Sequence, residues 1–405
     1  MSFNVNHTEF PLKMYHPTPG ALIGWGAYRM AGEEAKKLGI KHALIVTSGL
    51  RGTGIIDEIT GVLKHVGIEV TVYDGVTSNP KDHEVHAAHK LYKQAQCDGI
   101  ISVGGGSSHD CAKAVRIVEA HDGQSIREFN GMNTCQKPIL IPQLAITTTA
   151  GTGSETSWAS VITDTEKLYK MVIFDPTIIT SRAIVDPALM RTMPPKLTAW
   201  TGMDALTHAV EAYVSRLGVI TSQGLAIHAI KLINEGLRQA YANPDNAEAR
   251  EKQAWAQYTA GMAFNSAGLG ITHSIAHCLG ALFDSPHGQC NAIAMVPVAR
   301  YNMVACPERY ADIARAMGVD TTGMTVMQAA ESAVEALDTL RKEIGITENF
   351  SSLGLQEHHL PRFSEVVFND VCTGGNPRIV TTDAIQQIFR ECMDPAVEVE
   401  AEVLA

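Results

Sequence analysis

Residues 100–113 read IISVGGGSSHDCAK, an apolar run that breaks into Gly104, Gly105 and Gly106 and continues as a helix-forming stretch. Glycine lets the backbone turn sharply and approach a ligand closely, and the helix beyond offers unpaired N–H groups with a partial positive end. Ser107 is expected to cap that helix, with Asp110 three residues on as its capping-box partner. A pyrophosphate suits such a turn. So does a plain strand-to-helix connection without a ligand, because the spacing is not the G-x-G-x-x-G dinucleotide fingerprint. Residues 147–155, TTTAGTGSE, offer hydroxyl and backbone donors without bulk, fit for ribose and phosphates across a cleft, although Thr/Gly runs are also common in loops. Gly24-Trp25-Gly26 is set aside, since no suitable strand is expected before it.

The same alternation recurs on either side. Residues 41–47 (KHALIVT), 69–73 (EVTVY) and 99–103 (GIISV) read as strands, and 52–65 and 84–96 as helices. Strands alternating with helices through short turns imply a parallel sheet covered on both faces. From about Pro195 the pattern is helical, over 198–215, 222–241, 247–267, 292–302 and 327–344. The expectation is an α/β nucleotide-binding domain over 1–194 and an all-α domain over 195–405. The closing VEVEAEVLA alternates acidic and apolar residues and reads as a tail.

A length of 405 residues allows two domains of ordinary size. Lys and Arg number 32 against 43 Asp and Glu, a net charge of −11 that argues against a nucleic-acid binder. No apolar run is long enough to span a membrane, and MSFNVNHTEFPLK lacks the basic start and apolar run of a signal peptide. The 8 cysteines are scattered without a Cys-x-x-Cys pair, which excludes a zinc ribbon and a disulfide scaffold and points to free thiols in the cytoplasm.

Most of the 16 histidines have bland readings. His83, His86 and His89 are expected to face solvent from a charged helix, and His358 and His359 to diverge in a loop. His7, His16, His42, His65, His121 and His228 have no acidic or glycine-rich context. Two stretches differ. In TGMDALTHAVE (201–211), Asp204 and His208 stand four apart, on one helical face, among apolar neighbours. A buried carboxylate without a cation is costly, and no Lys or Arg lies within a turn of it. In GLGITHSIAHCLGALFDSPHGQC (268–290), His273 and His277 are again four apart on a helix, and His287 sits at a turn. One carboxylate and three imidazoles suit Fe²⁺, Zn²⁺ or another divalent ion, while either stretch alone also fits core histidines bonded to backbone.

GGGSSHDCAK (104–113), TTTAGTGSE, IVDPALMRTMPPKLTAWTGMDALTHAVEAYVS (184–215), GLGITHSIAHCLGALFDSPHG (268–288) and DVCTGGNPR (370–378) resemble the iron-containing (group III) alcohol dehydrogenases. The resemblance runs from about residue 10 to 393. That family includes lactaldehyde reductases, 1,3-propanediol dehydrogenases and methanol dehydrogenases. TSGLRGTGII (47–56) and ETSWASVITD (155–164) look closest to methanol oxidoreductases that hold their nicotinamide tightly.

The resemblance implies a dehydroquinate-synthase-like fold with a helical metal-binding domain, and a metal-dependent enzyme that passes hydride between a short-chain alcohol or diol and NAD. Its metal ligands would be Asp204, His208, His273 and His287, with His277 relaying a proton. The nucleotide would lie on Gly104, Gly105, Gly106 and Ser107, with Ser48, Asn79, Thr148, Thr149, Thr152 and Lys170 around it. Trp158, Ala159, Phe264 and Cys372 would line the substrate pocket. NAD is the first choice, but Ser48 stands where many members carry an acid that repels the 2′-phosphate of NADP, and Arg51 follows, so NADP is admitted. Three alternatives are weighed: a tightly bound NAD(P) with an external acceptor; a dehydroquinate-synthase-like lyase, which would need a Lys/Arg cluster that the sequence around Asp204, His273 and His287 does not show; and a purely structural metal, whose sites are usually cysteine-rich and closed. The family also implies a homo-oligomer, dimeric or larger.

Overall fold

The computed structural model describes residues 13–393, so His7, most of the N-terminal stretch and the VEVEAEVLA tail lie outside the described residues. Among the described residues nine strands form two sheets. β1 (Ala21–Ile23), β2 (His42–Thr47), β3 (Glu69–Tyr73), β4 (Gly99–Gly104), β6 (Gln143–Thr147) and β9 (Arg182–Val185) pair in parallel in the order β1-β9-β6-β4-β2-β3, while β5 (Gly131–Met132), β7 (Ala159–Asp164) and β8 (Tyr169–Phe174) make a smaller sheet, β5-β8-β7. Helices α1 (Ala31–Lys37), α2 (Ile55–His65), α3 (Asp82–Gln94) and α4 (Gly106–Ala120) link the strands of the larger sheet. β4 is buried along its whole length, as a strand covered on both faces must be. Crossovers reverse direction between β2 and β4, which opens a crevice at the carboxyl ends of those strands, where ligands sit in open α/β sheets.

Gly104 closes β4 at that crevice with φ of +145°, and a Cβ there would lie 2.3 Å from Ser108 Oγ. The conformation requires glycine. The helix that follows is capped by Gly105, not by Ser107. Asp110 is drawn away from the expected capping box, because it accepts from Ser154 Oγ (2.6 Å) and from the Val161 amide (3.2 Å). A strand does precede Gly24-Trp25-Gly26, contrary to expectation. The Gly26 and Tyr28 amides beyond it are taken by the Asp186 carboxylate.

The helical half comprises a short α5 (Pro187–Met190), α6 (Pro195–Val214), α7 (Ile220–Ala242), α8 (Ala247–Ala267), α9 (Ile271–Leu282), α10 (His287–Met303), α11 (Pro307–Ala316), α12 (Val326–Glu343), α13 (Leu360–Phe368) and α14 (Thr382–Glu391). Proline at the first position of α6 lacks the N–H that would be unpaired there anyway. The helix then buries nearly every side chain from Thr198 to Val214, at the centre of an apolar cluster shared with α7, α8, α10 and α12.

Several histidines depart from expectation. His86 accepts from the Ile126 amide (3.3 Å) and His89 pairs with Glu119 (2.7 Å), so only His83 of that trio faces solvent. His358 and His359 lie with ring centroids 4.0 Å apart in a 3-10 turn. His121 is buried and accepts from the Gln136 and Lys137 amides. Each of these partners is distant in sequence or set by a local turn.

Two glycines let other segments touch the α6 backbone. A Cβ on Gly288 would meet Trp200 O at 2.4 Å, and one on Gly151 would meet Thr201 O at 2.5 Å. Gly224, on an open face of α7, has nothing within 4 Å. Gly288→Ala is therefore expected to lower the unfolding free energy by about 1–3 kcal/mol, whereas Gly224→Ala should raise it by roughly 0.4–1 kcal/mol. Urea titration of the two variants measures both.

Candidate active site

The spacing of Asp204 and His208 places both on the buried face of α6, one turn apart. Asp204 is 2% exposed, and among the described residues its ion pairs within 4 Å are with histidines alone. His273 Nε2 lies 3.8 Å and His287 Nε2 3.6 Å from Asp204 Oδ1. His273 comes from the first turn of α9, and His287 is the first residue of α10 rather than a turn residue. The His208 ring stacks between His273 (4.5 Å) and Phe264 (4.6 Å). Asn291 donates to Asp204 Oδ1 at 2.7 Å.

The donor set fits a divalent metal. Asp204, His208 and His273 each bring a ligand atom within 4.8 Å of the others. Burial pushes the His208 imidazole down to about 4 and the His287 imidazole well below its ordinary value, so both rings stay neutral with a lone pair to give. A buried carboxylate facing three imidazoles lacks only the positive charge that Fe²⁺ or Zn²⁺ carries.

Two carboxylates behind the histidines had no role assigned from sequence. Glu211, on α6, accepts from His273 Nδ1 (2.6 Å) and from the Thr272 amide (2.8 Å). Burial raises the Glu211 pKa, but His273 and these bonds outweigh it and hold the carboxyl below its ordinary value. Asp370 accepts from His277 Nδ1 at 2.9 Å. Burial likewise opposes its ionisation, yet His277 and further hydrogen bonds bring it down to about 2. Asp204 and His208 could be found by spacing within one helix. Glu211 lies within the quoted motif, but its partner is 62 residues away, and that of Asp370 is 93 residues away.

A cavity of about 700 Å³ joins the two halves of the molecule. The five residues Asp204, His208, His273, His277 and His287 line it together with Asn79, Gly106, Ser107, Thr152 and Lys170, and with Trp158, Ala159, Phe264 and Cys372. Ser48, Gly104, Gly105, Thr148 and Thr149 do not lie on its wall. They pack on the glycine turn itself: the Thr148 amide donates to Gly104 O at 2.9 Å, and a Cβ on Gly105 would touch Thr149 at 3.1 Å. Asn79 reaches across to donate to Asp284 Oδ1 (2.8 Å) in the α9–α10 connection. Lys170 extends from β8 beside Gly280, and burial lowers its pKa.

Other residues were not singled out. His16 stacks on Trp158 at 4.3 Å and exchanges hydrogen bonds with Ser266. Trp158 is fixed further by bonds to Asn265 (3.0 and 2.8 Å). Lys13, Lys170 and Arg216 all line the cavity, so the absence of cations read from sequence neighbours does not hold in space. Arg51 is already paired at the surface with Asp74, to which its Nε donates at 2.7 Å.

The sequence model of the iron-containing alcohol dehydrogenases matches residues 18–187, and that of the Fe-containing alcohol dehydrogenase family, C-terminal, matches residues 198–393. The chain belongs to the iron-containing alcohol dehydrogenase family and is an oxidoreductase. It is 48% identical over 402 residues to methanol:N,N-dimethyl-4-nitrosoaniline oxidoreductase of Mycobacterium sp., covering 93% of this chain and 95% of the relative. To the NAD-dependent methanol dehydrogenase of Bacillus methanolicus it is 43% identical, covering 93% and 98% of the two chains. A solved 1,3-propanediol oxidoreductase superposes with a TM-score of 0.91 at 43% identity, over 94% of this chain and all of the other.

Glu211→Gln would set an amide N–H₂ against His273 Nδ1 and disturb the ring that faces Asp204. Iron affinity, measured by chelator competition, is expected to fall on the order of 10–100-fold.

Proposed function

We propose that this chain transfers hydride between a short-chain primary alcohol or diol and NAD, with Fe²⁺ as its metal. One observation carries the reading: a single cavity is lined both by the Asp204–histidine cluster and by Gly106 and Ser107 at the head of α4. Asp204, His208, His273 and His287 would hold the ion, which when bound supplies Lewis acidity to the alcohol or carbonyl oxygen. Gly104, Gly105, Gly106 and Ser107 would receive the pyrophosphate, with Ser48, Asn79, Thr148, Thr149, Thr152 and Lys170 around the rest of the nucleotide. His277 exchanges the hydroxyl proton with solvent. Trp158, Ala159, Phe264 and Cys372 wall the substrate side, and the bulk of the two aromatic rings favours small alcohols.

On this reading residues 1–194 bind the nucleotide and 195–405 form the catalytic domain, acting as a cytoplasmic homo-oligomer on small molecules rather than nucleic acid or membranes. All eight cysteines are free, and no helix among the described residues is long and apolar enough to cross a membrane. Zn²⁺ is the alternative metal. A nicotinamide held through turnover, with an external acceptor, is the second reading. The likeness to the Mycobacterium oxidoreductase favours it.

Protein purified without oxygen is expected to contain iron and to reduce NAD at 340 nm with short primary alcohols; chelation should abolish turnover and Fe²⁺ restore it. A nicotinamide already bound, with no response to added NAD, would support the second reading. His273→Ala should lose metal and nearly all turnover, whereas His277→Ala should keep metal and lose part of the rate. Equal metal loss in both would overturn the ligand assignment.

Cofactor choice follows from Asp74, which neutralises Arg51 beside the open position of Ser48. Asp74→Ala should raise kcat/KM with NADP relative to NAD. An unchanged ratio would remove Arg51 from cofactor recognition.

A further inference from the structure

Asp370 belongs neither to the metal cluster nor to the nucleotide turn, yet groups of the cavity wall converge on it. It opens the 3-10 turn Val371–Gly375, where Oδ1 accepts from the Cys372 amide (2.8 Å) and from Ser274 Oγ (3.0 Å). Its other oxygen, Oδ2, accepts from His277 Nδ1 at 2.9 Å. A neutral imidazole carries one N–H. Were Nδ1 the bare nitrogen, its lone pair would face the carboxylate. With the proton on Nδ1, Nε2 keeps its lone pair, on a ring that lines the cavity beside Cys372.

We infer that Asp370 is the positioning residue for proton transfer, fixing His277 in the Nδ1–H tautomer so that Nε2 receives the hydroxyl proton. This rests on the reading of His277 as the proton-transfer group. In alcohol oxidation the O–H bond breaks and its proton passes to Nε2, while hydride leaves carbon with its electron pair for the nicotinamide. The imidazolium then releases that proton to solvent. Asp370 keeps its ionisation state throughout and stabilises the transient positive ring. Aldehyde reduction runs the same steps backward.

Asp370→Asn tests this with little change of shape. Amide Oδ1 can still cap Cys372 and accept from Ser274, but Nδ2 replaces the oxygen facing His277 and donates to Nδ1, forcing the Nε2–H tautomer. Two readouts are paired: the ¹⁵N imidazole spectrum of Zn²⁺-loaded enzyme, assigned with His277→Gln, and the kinetics of iron-loaded enzyme. The expected result is an Nδ1–H ring in the wild type and an Nε2–H ring in the variant. With it, kcat should fall on the order of 10²-fold and the solvent isotope effect should rise, while KM for NAD and iron content hold. The same tautomer in both proteins, or an inverted tautomer with kcat unchanged, would overturn the inference. Absence of iron or of alcohol turnover in the wild type would instead sink the proposed function, and the spectra would still report whether Asp370 sets the ring.

Discussion

Asp204 is the constraint around which the site is arranged. A carboxylate removed from water costs several kcal/mol unless positive charge or good donors meet it. Among the described residues no Lys or Arg pairs with it; an asparagine amide and two imidazoles do. Neutral imidazoles compensate a carboxylate poorly. They are good metal ligands, however, and burial keeps His208 and His287 in that form. The features that make this cluster expensive in a metal-free chain are those that make it fit for a divalent ion, whose binding there would add to folding stability.

Holding α9 and α10 against Asp204 requires α6 to be approached more closely than side chains normally allow. Gly288 lets the first turn of α10, and so His287, come to the Trp200 carbonyl. Gly151 brings the threonine–glycine strip to Thr201 one residue further along the same helix. Two distant segments, one bearing a candidate ligand and one packed on the glycine turn, therefore take their positions from consecutive carbonyls of α6. That is how the two halves of the cavity keep a common geometry.

What the sequence made legible were features whose periodicity is local. The β4 run ending in glycines, the i,i+4 pairs Asp204/His208 and His273/His277, and the full span of α8 could be read from spacing alone. Features settled by distant contacts could not. Ser107 resembles a cap, but Asp110 is captured by Ser154 and Val161 from the β6–β7 region, which leaves Gly105 to begin the helix. His16 has no informative neighbours in sequence and becomes part of the cavity wall only because Ser266 pins its backbone beside Trp158. The cations Lys13 and Arg216 were missed for the same reason.

His273 and His277 show why spacing alone does not assign roles. They occupy equivalent faces of α9, one turn apart, and each gives Nδ1 to a carboxylate, buried for Glu211 and partly buried for Asp370. Their difference lies in where those carboxylates come from. Glu211 sits two turns along α6 from Asp204, so the bond it makes turns His273 Nε2 back toward Asp204. Asp370 comes instead from the turn carrying Cys372, so His277 is tied to the Cys372 side of the cavity wall. A carboxylate behind a metal ligand raises its basicity and fixes its orientation; the same carboxylate behind an unligated ring readies it for a proton. On the proposed assignment one helix would supply both a ligand and a relay from the same residue type. What distinguishes the two rings is their carboxylate partners, Glu211 on α6 and Asp370 at the head of the Val371–Gly375 turn.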